Sequence, residues 1–124
     1  MESVATITTN MAHAIGTTQY IRHFTGLLFT DGVDQLRADA DCHWLVDAIG
    51  SYKRKEEFQV WELKVNTETH KAVLTMCEDS DKPYKVTQKI GHTDFPLENV
   101  KFYVQLGSLD GVTPEYILML TSEY

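Results

Sequence analysis

No apolar run in this sequence approaches the ~20 residues that a membrane-spanning helix requires, so no span is expected. Cysteine is scarce: Cys42 and Cys77 are the only two, far apart and in otherwise apolar surroundings. Two are too few for a disulfide framework or a thiolate zinc knuckle. Buried free thiols in a reducing compartment are the expected state, with a single disulfide as the weaker alternative. A surplus of positive charge is missing too. The 11 basic residues stand against 18 acidic ones, a formal charge of −7. Such a chain repels nucleic-acid phosphates unless its cations cluster. The one basic run, Lys53-Arg54-Lys55, is followed at once by Glu56 and Glu57. It reads as a solvated helix end whose cations complement the C-terminal dipole. No direct nucleic-acid contact is expected.

Diagnostic chemical motifs are also absent. There is no GxGxxG, P-loop, GxSxG, HExxH or paired CxxC, and no cofactor is implied. The first ten residues, MESVATITTN, have an acidic second position and no basic n-region, unlike a secretory signal. A cytoplasmic location is the default expectation.

What is present describes a globular object. For 124 residues and 14.2 kDa, surface scaling gives roughly 6,800 Å² folded against roughly 20,000 Å² unfolded. About two-thirds of the surface is buried on that basis, enough for a core without staples. Residues 1–16, small, polar and Thr-rich, read as a flexible N-terminal arm, or at most a short edge strand around Val4 to Thr8. Residues 17–124 read as a single α+β domain. Thr17 or Thr18 is placed to cap a short helix through Phe24, with Tyr20, Ile21 and Phe24 on one side and Gly26 as its stop. Leu27 to Phe29 is a brief extended segment or a tight connection.

Thr30 or Asp31 then caps a helix carrying Val33, Leu36, Arg37 and Ala40 at helical spacing. The ADADC stretch predicts a bend, because Asp favours caps over helix interiors. A second helix follows from about Asp41 to Lys53, with a stripe of Leu45, Ala48, Ile49 and Tyr52 and with Trp44 at its edge. Beyond residue 57 the period changes to alternation. Strands are expected at Phe58 to Val65, Ala72 to Cys77, Tyr84 to Ile90, Val100 to Leu106 and Tyr116 to Leu120. Trp61, Leu63 and Val65 share one inward face, as do Tyr84, Val86 and Ile90, and Val100, Phe102, Val104 and Leu106. Helices first and strands afterwards give an α+β fold, with N-terminal helices packed on one face of a roughly five-stranded antiparallel meander.

Chemistry has few places to sit. His43 lies four residues from both Asp39 and Asp47, a spacing that shares a helix face and suits an oriented general base or two metal ligands. A surface ion pair is the plainer reading. His92-Thr93-Asp94 is a second candidate, with Asp94 bonding its own loop as the plainer alternative. The five histidines, His13, His23, His43, His70 and His92, show no metal-type spacing, and no metal is expected. Cys42 beside His43 makes no dyad, since helix neighbours point about 100° apart. Trp44, Trp61, Tyr84 and Phe102 read as core. Tyr20, Tyr103 and Tyr124 suit an interface, each with an apolar body and a polar tip.

Three blocks taken together carry a resemblance: LLFTDGVDQL with HWLVDAIGSY, FQVWELKV, and HTDFPLENVKFYV followed by ILMLTSEY. In that order they resemble a family of small uncharacterised bacterial and phage proteins, classed as domain of unknown function 6876. The resemblance covers most of the chain after residue 17 and implies a cytoplasmic protein encoded by a phage or mobile element. The family has no established activity, so it assigns no functional residues.

The leading functional expectation is a small acidic binding protein without enzymatic activity. Its sharp form is an inhibitor of a host-defence complex. Asp31, Asp34, Asp39, Asp41, Asp47, Glu78, Asp79 and Asp81 would then occupy a basic nucleic-acid groove of a protein partner. Solubilising charge is the plain alternative for each of them. A second expectation is a small-ligand or nucleotide-sequestering oligomer, with Arg22 and Arg37 on phosphates at a subunit interface. A third is a hydrolase built on His43 with Asp47, or on His92 with Asp94.

Overall fold

Alternation in the second half of the chain sets the sheet. In a computed structural model describing residues 1–14, 17, 19–79 and 81–124, β3 (Phe58–Asn66) pairs antiparallel with β4 (Lys71–Cys77). Trp61, Leu63 and Val65 then stand opposite Met76, Leu74 and Ala72 on one buried face. β5 (Val86–Ile90) extends this on one side. On the other side β6 (Asn99–Gly107) sets Phe102 opposite Trp61 and Val100 opposite Leu63. β7 (Glu115–Leu120) then sets Leu118 opposite Val104 and Leu120 opposite Phe102.

The expected five strands are therefore present, but they are not a meander. The first three run β3-β4-β5, and β6 returns to the free edge of β3. A fourth strand lying beside the first is the Greek-key arrangement. Residues 91–98 make the return by crossing the β3–β4 turn. Thr93 N–H donates to the His70 carbonyl at 2.8 Å, and Val65 N–H donates to the Glu98 carbonyl at 2.7 Å. Sequence spacing shows where strands lie but not which edge a strand returns to, so the meander expectation is corrected here.

Two further strands complete a seven-stranded mixed sheet, in the order β1-β2-β7-β6-β3-β4-β5. The helix expected over residues 17–24 is instead β1 (Tyr20–Arg22), hairpinned to β2 (Leu28–Thr30). Its expected cap Thr18 lies outside the described residues. Gly26 serves the hairpin turn at φ 97°, a conformation open to glycine at no steric cost. Among the described residues only β2 with β7 is parallel, Leu28 beside Ile117 and Phe29 beside Leu118.

The helices lie on the face that carries Trp61. Thr30 caps α2 (Asp31–Asp39), its hydroxyl accepting from Val33 N–H at 3.2 Å. The bend predicted in ADADC is real: Asp41 takes a left-handed φ of 50°, and α3 (His43–Tyr52) follows. Val33, Leu36, Leu45, Val46 and Ile49 close over the sheet in one core cluster.

The expected loose arm or edge strand over residues 1–16 gives way to a helix, α1 (Val4–His13). Ser3 caps it, Ile7 is 0% exposed, and Asn10 Nδ2 donates to Asp39 Oδ2 at 2.8 Å. Ile15 and Gly16 of that expected arm lie outside the described residues. Two aromatic placements are also corrected. Tyr84 is exposed, ahead of β5 rather than in it, and Tyr52 is exposed at its rim while its ring packs on Trp61 at 5.6 Å.

Candidate cleft at the end of the sheet

α3 ends because Lys53 turns left-handed, at φ 49°. That turn throws Lys53, Arg54 and Lys55 out past the last helical turn, over the strand ends that the helices leave uncovered. A cleft of about 610 Å³ opens there. Its lining includes the apolar Leu27, Ile49, Val104 and Leu106, with Tyr116, and the three cations.

Each wall is tied down. Gln59 is 3% exposed and holds the segment after α3, donating to the Glu56 carbonyl at 3.0 Å while accepting from Trp61 Nε1 at 2.8 Å. Tyr116 O–H donates to the Lys55 carbonyl at 2.9 Å. Arg54 is committed to Glu56, with Nη2 to Oε2 at 2.6 Å. Lys85 joins the same carboxylate at 3.3 Å and also reaches Glu78. The Arg54 guanidinium, with Lys85 behind it, holds the Glu56 carboxyl down at about 2. Glu115 is neutralised by a two-pronged contact from Arg22, at 2.9 and 3.1 Å. Among the described residues Lys53 and Lys55 make no ion pair.

The opposite wall is the β1–β2 turn, and a buried histidine docks it. His23 Nε2 lies 2.6 Å from Asp47 Oδ1, and Nδ1 lies 2.8 Å from Thr25 Oγ1. Thr25 N–H also donates to Nδ1, at 3.2 Å. Nδ1 is therefore an acceptor, and the ring proton sits on Nε2 facing Asp47. The order Asp47–His23–Thr25 is that of a proton relay. Its hydroxyl, however, is wedged against Gly50, where an added Cβ would lie 2.4 Å from Oγ1. The three residues act as a tie between hairpin and helix.

The predicted site residues fall differently. The His43–Asp47 pair does not form, because Asp47 takes His23 and His43 is exposed. Asp39 is 6% exposed and accepts from Asn10 and from Gln35 Nε2, so it is structural. Asp34 holds Arg37 Nε at 3.0 Å, and the Arg37 guanidinium lies 4.4 Å from the Phe29 ring centroid. Asp41 lies 3.6 Å from the terminal amine, Glu78 is taken by Lys85, and Asp31 accepts from Gly32 N–H. Asp79 and Asp81 are exposed in the β4–β5 connection. The acidic set is thus largely spent inside the molecule. Arg22 and Arg37, the expected phosphate contacts, are spent as well. His92 and Asp94 do meet, at 3.3 Å, on the crossover. Tyr103 and Tyr124 gather with Phe58 at ring distances of 5.1 to 5.5 Å, while Tyr20 stands exposed on β1. Both cysteines are free and buried, as expected, and desolvation pushes the Cys42 thiol up to about 12.

Sequence reading missed His23 and Thr25 because their partner Asp47 is over twenty residues away, on an element paired only in three dimensions. The basic run was visible, but not the apolar floor beneath it.

Among the described residues, three α-helices on one face of a seven-stranded mixed sheet define an α+β protein with a cleft partly lined by cations. The chain belongs to a family of unknown function, DUF6876, whose family model matches residues 5–124. No curated protein and no solved structure matches it.

Proposed function

We propose that this is a non-catalytic binding protein whose cleft takes an anionic small ligand with an apolar body. One observation carries the reading. In a chain of net charge −7, the cleft is lined by Lys53 and Lys55, which make no ion pair among the described residues, together with apolar side chains; Lys55 Nζ lies 6.0 Å from the Tyr116 ring centroid. The volume of about 610 Å³ falls within the roughly 300–1,000 Å³ of small-molecule sites. A carboxylate, sulfonate or phosphate would meet the amino groups while its hydrocarbon lies on Ile49, Val104 and Leu106. This replaces a subunit-interface site using Arg22 and Arg37, whose guanidinium groups are already engaged. The acidic-surface inhibitor keeps less support, since Asp39, Asp47 and Glu78 hold the fold together.

The probe that tests this is anilinonaphthalene sulfonate, an aryl anion, titrated by fluorescence into the native protein. Saturable binding that weakens at least about tenfold (~1.4 kcal/mol) in Lys53→Glu/Lys55→Glu, and weakens at high salt, is the expected result. Binding indifferent to both changes, or no binding, overturns it.

A further inference from the structure

We propose that His70, His92 and Asp94 form a binding site for a divalent transition metal of the zinc class. The crossover creates it. His70 closes the β3–β4 turn, and His92 and Asp94 ride on the segment that passes over that turn. One ligand atom from each of the three lies within 4.8 Å of the other two. His92 Nε2 to Asp94 Oδ1 is 3.3 Å, and His70 Nδ1 to the same oxygen is 3.8 Å. Ligands about 2.0–2.2 Å from a tetrahedral zinc ion stand about 3.3–3.5 Å apart. One edge already has that length, the second closes with a few tenths of an ångström of side-chain movement, and the third, between the two imidazoles, lies within 4.8 Å.

The backbone beneath the cluster is built, unlike that of a chance surface encounter. Thr93, between the two crossover ligands, is 5% exposed, and its N–H is bonded to the His70 carbonyl at 2.8 Å. Its hydroxyl accepts from Phe95 N–H at 3.1 Å, and Phe95 is 3% exposed in the core. Asn66 Oδ1 accepts from Glu68 and Thr69 N–H and shapes the other half. His70 itself sits at φ 60°, a left-handed conformation that a non-glycine residue holds only when its surroundings impose it. The two imidazoles stack at 5.2 Å.

Two imidazoles and one carboxylate suit zinc, nickel or copper and not magnesium or calcium, which prefer all-oxygen sets. His70 Nδ1 also lies 3.2 Å from the Thr93 carbonyl. A metal on Nδ1 would take the place of that contact, so the carbonyl already holds the ring with this nitrogen turned toward Asp94. The three side chains are exposed, which leaves a fourth position for water or a ligand. Beside it opens a second cleft of about 410 Å³, which includes Trp44, Ile90 and Phe95.

The experiment is calorimetric titration of zinc chloride into untagged, chelator-treated protein, with magnesium chloride as control. About one equivalent of zinc should bind, and magnesium should not. His70→Gly is the informative variant, because glycine accepts the left-handed backbone at no steric cost while the imidazole is removed. It should weaken zinc at least tenfold (~1.4 kcal/mol) while the metal-free protein still unfolds cooperatively. His92→Ala and Asp94→Asn should each do the same, and His43→Ala should change nothing. No zinc binding, or undiminished binding in His70→Gly and His92→Ala, overturns the assignment.

Discussion

Gly50 is the residue on which the cleft beside Lys53 and Lys55 depends most directly. The Thr25 hydroxyl occupies the space a Cβ would need, so alanine there must push the β1–β2 turn off α3. Overpacking of this kind costs about 1–3 kcal/mol. Gly50→Ala is expected to lower the unfolding free energy by that amount, read from urea denaturation, and to disturb the His23–Asp47 contact. Histidine NMR resonances report the second effect. At this scale little was legible. A helical glycine is ambiguous in one dimension, and the spacing that drew attention to Asp47 pointed to His43, four residues away on the same helix. The true partner is His23, buried at 6% exposure on a different element.

At the scale of elements, α1 is the part held most by its surroundings and least by its own sequence. VATITTNMAH is rich in β-branched residues, which lower helix propensity. What sustains it is Ile7 in the core and Asn10 on the buried Asp39 carboxylate. Ile7→Ala should cost about 2–4 kcal/mol, while the exposed Thr8→Ala stays within about 0.5 kcal/mol. Chemical denaturation of the two variants compares them directly. The same contrast explains what could be read beforehand. α2, α3 and the five strands after Phe58 carry their own period, and their spans and most of their inward faces were legible. β1 is three residues long, too short to show a period, and in α1 the Thr-rich composition masks Ile7 and Met11, which stand at helical spacing and pack on the core. Strand order was illegible for another reason. Val100, Phe102 and Val104 face the core equally well beside β5 or beside β3, so nothing in their pattern selects the edge of β3.

Across the whole molecule, charge is arranged in short chains that join distant segments. Arg54, Glu56, Lys85 and Glu78 link the end of α3 to the approach of β5. Glu56 is the pivot, held at about 2 against an ordinary value of 4.5. A carboxyl depressed in the folded state binds fewer protons than in the unfolded state, so stability rises with pH across that interval. Its contribution is complete above about 4.5 and is lost as the pH falls through about 2. Glu56→Gln should therefore be less stable than the parent at neutral pH, with the gap closing between those two values. Urea midpoints measured along a pH series test it. Glu115, lowered by Arg22, and Asp110, lowered by backbone N–H groups of its own turn, add to acid sensitivity elsewhere.

The parallel pairing of β2 with β7 has a consequence for how the protein is made. Leu28 cannot find Ile117 until 89 further residues have been synthesised (117 − 28), a delay of about 4–18 s at ribosomal speeds of roughly 5–20 residues per second. The β3–β4–β5 unit can assemble during that time, but the first hairpin must wait with one edge bare. On the ribosome, β1 and β2 are the segment that most needs shielding.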